Sequence, residues 1–142
     1  MNAACILVIG SAGYLGSQVV AAVAERADLR DVALDVREPA QRRPGVVYEI
    51  ADIRGPEVDA IVARQRPEVV VHLASIVTPG RDSNREFEYS VDVLGSRNLI
   101  EACVRHRVRR VIVSSSGAAY GYHANNPDWL NENHPVRGNQ TF

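Results

Sequence analysis

Gly10-Ser11-Ala12-Gly13-Tyr14-Leu15-Gly16 is the stretch that decides the fold of this chain. It follows a short apolar run, Cys5-Ile6-Leu7-Val8-Ile9, and opens a segment in which Leu15, Val19 and Val23 recur at helical spacing with Val20 beside them. A continuous β-branched run of this length is the pattern of a strand buried on both faces, and the spacing after it predicts an amphipathic helix ending near Ala27. Glycines between such a strand and such a helix allow a tight turn, let the backbone approach a pyrophosphate and let helix pack on strand. The helix N-terminus adds amide donors and partial positive charge. Gly10, Ser11, Gly13, Tyr14, Leu15 and Gly16 are therefore candidate contacts of a dinucleotide; a merely flexible turn is the alternative.

Downstream, Val32-Ala33-Leu34 with Val36 reads as a second strand and Val46 to Ile50 as a third, separated by the loop Pro39 to Pro44. Asp35 closes the second strand about twenty residues past the glycine turn, where a carboxylate accepts from a ribose 2′-hydroxyl. That position argues for NAD over NADP, although Arg37 close by is able to accept a 2′-phosphate. Gly55-Pro56 opens a helix with Val58, Ile61 and Val62 on its buried face, acids at its start, and Arg64, Arg66 and Pro67 at its end. Val69 to Ala74 is a fourth strand. A Pro79-Gly80 loop and a long helix from about Asn84 to His106 follow, with Phe87, Val91, Leu94, Ile100, Cys103 and Val104 as its stripe. Arg110 to Val113 is a fifth strand, ending in three serines. Strands alternating with helices imply a doubly wound, parallel α/β sheet of the Rossmann type, in strand order 3-2-1-4-5 with right-handed crossovers. Residues 1–116 form the dinucleotide-binding domain, and 117–142 are a polar segment.

Composition narrows the function. In 142 residues, 46% hydrophobic and 23% charged with a net charge of −1, one globular core is expected. The 16 basic residues are all arginine, scattered along the chain, so no footprint for nucleic acid is read. A phosphate-binding loop of the P-loop kind needs a lysine and is excluded; a G-x-S-x-G nucleophile elbow is absent. His72, His106, His123 and His134 show no metal-ligand spacing, and no metal is assigned. Cys5 and Cys103 read as small buried hydrophobes of a reducing cytoplasm. The run Ala3 to Ile9 is too short to span a membrane and has no basic leader, so neither membrane nor export is expected.

Four further segments carry a family resemblance. Asp52-Ile53 follows the third strand, His72-Leu73-Ala74-Ser75 ends the fourth, Val91-Asp92-Val93-Leu94-Gly95-Ser96 lies in the long helix, and Ser114-Ser115-Ser116-Gly117-Ala118-Ala119-Tyr120-Gly121 follows the fifth. With the glycine turn, these resemble the extended short-chain dehydrogenase/reductases, the NAD-dependent epimerase/dehydratase family that includes the UDP-galactose epimerases.

The resemblance implies that Asp52 and Ile53 contact adenine, and that Leu73, Ala74, Ser75 and Ser114 lie beside the cofactor. It also implies that Ser116 hydrogen-bonds the reacting oxygen; the residues alone allow equally that Ser116 satisfies strand-end backbone groups. Asp92 and Ser96 depart from the family's asparagine and threonine, which questions any asparagine-based role there. The family's Tyr-x-x-x-Lys acid/base pair has no counterpart, and Glu132-Asn133-His134-Pro135 with Arg137-Gly138-Asn139 resembles the stretch just before it. The expectation is a truncated NAD-dependent enzyme acting on a hydroxyl-bearing carbon of a sugar nucleotide, able to form a homodimer through the 84–106 helix. A non-catalytic dinucleotide-binding module is the rival, and a remnant that binds nothing is a weaker one.

Overall fold

β1 (Ala4–Ile9) is the central strand of a five-stranded sheet, with β2 (Leu29–Asp35) on one side and β4 (Val69–His72) on the other. The computed structural model describes residues 3–77, 80–81 and 83–139; Pro79 of the expected Pro79-Gly80 loop lies outside the described residues. β3 (Val47–Ile50) and β5 (Arg110–Val113) are the edges, every pairing is parallel, and the order is β3-β2-β1-β4-β5. The doubly wound α/β architecture and its strand order are those expected.

Alternation along the strands sends successive side chains to opposite faces. One face of the sheet, with Leu7, Ile9, Val32, Leu34 and Val70, packs on α2 (Glu57–Gln65) through Val58, Ile61 and Val62, and on α4 (Ser96–Arg105) through Leu99, Ala102 and Cys103. The other face, with Val8 and Ala33, packs on α1 (Tyr14–Ala24) through Val20.

Several helix and strand details differ from expectation. α1 stops at Ala24, short of Ala27, and its buried residues are Gly16 and Val20; Leu15 is 52% exposed. Val36 lies past the end of β2 and faces solvent. The long helix is a continuous helical run, but only α3 (Arg85–Tyr89) and α4 are α-helical; Ser90–Gly95 between them is a π-helical turn. A π turn spends an extra residue, so the inward position at its end falls on Gly95 and not on Leu94. Leu99 is buried in place of Ile100, Cys103 is buried as expected, and Leu94, Ile100, Val104 and, ahead of the π turn, Phe87 are exposed. β5 is not covered on both faces, because it is an edge strand: Ile112 and Val113 are about half exposed.

Two helices end in a residue with the left-handed conformation that favours glycine, and in both cases it is an arginine. Arg66 (φ 48°) caps α2 by donating its amide to Val62 O at 2.9 Å. Arg107 (φ 57°) follows α4, with Arg107 N donating to Val104 O and Val108 N to Cys103 O, the paired bonds of a Schellman cap. A side chain in this conformation costs roughly 1–2 kcal/mol relative to the right-handed one.

Asp31, on β2 and 3% exposed, has no hydrogen-bond partner on either carboxylate oxygen among the described residues. Burial raises its pKa to about 6. The folded state therefore holds this proton more tightly than the unfolded state, so its contribution favours folding below pH 4 and is lost as pH rises through 6. The variant Asp31→Asn should be more stable than the wild type at pH 8, by about 1–3 kcal/mol, with the gain vanishing near pH 4. Urea unfolding of both proteins at pH 4, 6 and 8 checks it; a constant difference across the three would refute the assignment.

Candidate functional site

The C-terminal ends of β1, β2, β3 and β4 open into a cleft of about 710 Å³. Chain connections leave β1 in opposite directions on its two sides, to β2 and onward to β4, and ligands of open α/β sheets bind at such a crevice. Its floor is the glycine turn, and the three glycines there have different reasons to be glycine. Gly10 has φ 82°, and a Cβ on it would lie 2.7 Å from Ala74 N. A Cβ on Gly16 would lie 2.0 Å from Gly10 O, so α1 could not seat against the turn. Gly13 is different: its Cβ would meet only Gly10 O, at 3.3 Å, and it lines the cleft. Packing thus excludes a side chain outright at Gly10 and Gly16, whereas at Gly13 it opposes one only through the single close contact with Gly10 O, and the rest of the space there belongs to the cleft. Gly13 is also the N-cap of α1, with no side-chain cap and no acid in the first turn, so the first amides of that helix meet the cleft uncapped.

Asp35 is 7% exposed at the end of β2. Its Oδ2 accepts from Ala12 N at 2.9 Å and its Oδ1 from Arg37 N at 3.0 Å, with Arg37 Nε at 3.5 Å. One carboxylate therefore ties the glycine turn to the second strand. An ionised carboxylate has roughly four acceptor positions, so capacity remains for a hydroxyl donor in the cleft.

Asp52 and Ile53 lie on the third side of the cleft. Ile53 is buried against Gly95, where a Cβ would come within 2.5 Å of Ile53 Cγ2. Asp52 accepts from Arg54 N at 2.9 Å and Arg54 Nη2 at 2.6 Å, and these bonds hold its pKa below the usual carboxylate value. Arg54 also stands 5.1 Å from the Phe87 ring centroid and donates from Nη1 to Ser90 Oγ at 3.0 Å. Arg54 and Phe87 thereby form a rim that joins the loop before α2 to the start of the long helix. Sequence reasoning missed both as site residues, having put Phe87 in the core; a turn acid with an arginine two residues on was the available signal.

Leu73, Ala74 and Ser75 lie past the end of β4 and line the cleft, as do Ile76, Val77 and Val91. Asp92 sits behind this wall, its Oδ1 accepting from Ile76 N at 2.9 Å. That contact uses only an acceptor, which an asparagine oxygen would supply equally. His72 is buried, with Nε2 2.8 Å from Ser96 Oγ, and desolvation lowers its pKa, which favours the neutral ring.

The remaining candidates are less central. Ser11 is buried and holds Leu34 O through its amide, Tyr14 lines the cleft and is exposed, and Leu15 and Gly16 do not line it. Ser114 donates its amide to His72 O, and Ser116 Oγ accepts from Ala118 N at 3.2 Å, capping a 3₁₀ turn over Gly117–Tyr120. Neither serine lines the cleft. Among the described residues no group of three metal-ligating side chains occurs.

Comparison with known proteins agrees with this geometry. The model of the NAD dependent epimerase/dehydratase family matches residues 6–141. The chain is 30% identical over 138 residues to a putative UDP-glucose 4-epimerase of Methanocaldococcus jannaschii, covering 92% of this chain and 44% of that protein. It is 31% identical over 129 residues to the dTDP-L-rhamnose 4-epimerase of Burkholderia thailandensis, covering 82% of this chain and 35% of that one. The crystal structure of Thermus thermophilus UDP-glucose 4-epimerase complexed with NAD superposes with a TM-score of 0.78 at 30% identity, over 94% of this chain and 44% of that chain. The chain thus spans less than half the length of each of these proteins.

Proposed function

The chain belongs to the NAD dependent epimerase/dehydratase family, and we propose that it is the cofactor-holding part of an NAD-dependent epimerase, dehydratase or dehydrogenase of sugar nucleotides. The observation that carries this reading is Gly13. A Cβ here would meet the protein only at Gly10 O, 3.3 Å away, and beyond that would stand in the open cleft over a helix N-terminus with no side-chain cap, the space that a pyrophosphate laid on the turn would fill. Amides of the Gly10–Gly16 turn would take the pyrophosphate and Asp35 the adenosine ribose. Asp52 and Ile53 would take the adenine. Leu73, Ala74 and Ser75 would wall the β4 side, with Ser114 following β5. When bound, NAD supplies the hydride acceptor and donor for a hydroxyl-bearing carbon.

The chain's own residues bind, orient and exclude water. Asp35 pre-sets the turn by fixing Ala12 N, and Arg54 holds the Asp52 carboxylate ionised at the adenine end. Ser116 uses its oxygen as an acceptor for Ala118 N, which leaves its proton available to a substrate oxygen. The sugar-nucleotide class is supported by the activities named for the two epimerase relatives.

We assign the dinucleotide-binding domain to residues 1–116 and read 117–142 as a segment leading toward an active-site helix and substrate lobe. The two buried free thiols suit a reducing cytoplasm, and among the described residues no helix is long and apolar enough to cross a membrane.

Titration calorimetry with NAD and NADP should show tighter binding of NAD, and Gly13→Val should abolish binding while leaving the helical circular dichroism unchanged. Equal or reversed affinities would remove the role given to Asp35. Incubation of the 142 residues with NAD and UDP- or dTDP-sugars should give only background conversion, since an unassisted tyrosine has a pKa of about 10 and no lysine is present to lower it. Sustained turnover lost in Ser116→Ala would show that this stretch carries its own base. The exposed Ile100 and Val104, one turn apart on α4, should make the protein self-associate through this helix; light scattering showing a monomer at high concentration would exclude that contact.

A further inference from the structure

We propose that the end of the sheet opposite the nucleotide cleft is a second anion site, which takes a multiply charged phosphoryl anion between Arg66, Arg107 and Arg109. These three arginines, with His106 and Glu68, line a cavity of about 460 Å³. It lies at the N-terminal ends of β4 and β5, where Glu68 precedes one strand and Arg109 the other, whereas the nucleotide cleft lies past the C-terminal ends.

The charges at this end do not cancel. Asp59 is taken by Arg105 and by His106, whose Nε2 is 2.9 Å away, and Glu68 Oε2 faces Arg109 Nη2 at 3.6 Å. The guanidinium groups of Arg66 and Arg107 have no ion-pair or hydrogen-bond partner among the described residues, and both residues are exposed. At the ends of α2 and α4 the carbonyls of Val62, Ala102, Cys103 and Val104 accept from the amides of Arg66, His106, Val108 and Arg107, and the arginines here outweigh the partial negative charge of the two helix ends.

Backbone conformation supplies an independent observation. Arg66 and Arg107 are the two positive-φ residues other than glycine among the described residues, and both stand where a helix end calls for glycine. Strain of this kind gathers at functional sites. Here it sets two unpaired guanidinium groups at one cavity, although forty positions separate them in sequence, and a guanidinium fork matches phosphoryl oxygens in pairs.

The test is a ¹H–¹⁵N NMR titration of the protein with inorganic pyrophosphate, beside sodium chloride at matched ionic strength. Amides of Arg66, Arg107, Val108 and Arg109 should shift and saturate with pyrophosphate. The double variant Arg66→Gly/Arg107→Gly should lose that response at least tenfold in affinity while any response of the glycine-turn amides persists. Because glycine relieves the strain at both positions, the variant should melt no lower than the wild type, which separates loss of binding from loss of fold. Uridine diphosphate should move the same base-end amides, as expected if the phosphoryl group is what is read. Base-end shifts that follow sodium chloride alone, an undiminished response in the double variant, or a response to the nucleotide with none to pyrophosphate would each overturn the proposal.

Discussion

The structure depends on backbone packed directly on backbone at one point. Gly10 meets the Leu73–Ala74 peptide and Gly16 meets Gly10 so closely that neither can carry a Cβ. The contact seats α1 on the end of β1 and brings the chain past β4 to the same place, so a first-strand turn and a fourth-strand exit share one wall. The cleft is therefore a by-product of sheet topology and the loss of two side chains, and its remaining walls only have to be added to it. Any side chain at Gly10 or Gly16 would push apart elements whose own cores are well formed.

Asp35 serves the fold whether or not a ligand is present. Its sequence position suggested a ribose acceptor; the structure adds that its two oxygens already engage Ala12 N and Arg37 N. A buried carboxylate that gains two backbone donors repays much of its desolvation. The turn is thus held in shape by a carboxylate that also lines the cleft, so a ligand there would not have to order the loop first.

Legibility followed the range of the interaction. The glycine turn, Asp35 and the parallel strand order were readable because each rests on local conformation or on alternation of elements. The π-helical turn at Ser90–Gly95 was not, because no residue in it announces one; with a regular helix assumed, Leu94 was placed inward and Gly95's packing on Ile53 went unseen. Arg54 escaped notice for a similar reason, since Phe87 and Ser90 reach it only after the fold brings two distant loops together. The arginine caps of α2 and α4 were equally hidden: helix ends can be read from sequence, but that two of them share a cavity cannot.

The central position of β1 also bears on how the chain assembles. Ile6 is paired with Asp31 on one side and Val69 on the other, so the strand that leads the sequence needs partners from well down the chain on both flanks. Closing such long loops costs entropy before any contact repays it, and parallel sheets fold slowly for this reason. During synthesis from the N-terminus, Leu7, Val8 and Ile9 would be made early and covered late. Until β4 arrives, the most apolar strand of the molecule is an open edge with its aliphatic side chains uncovered.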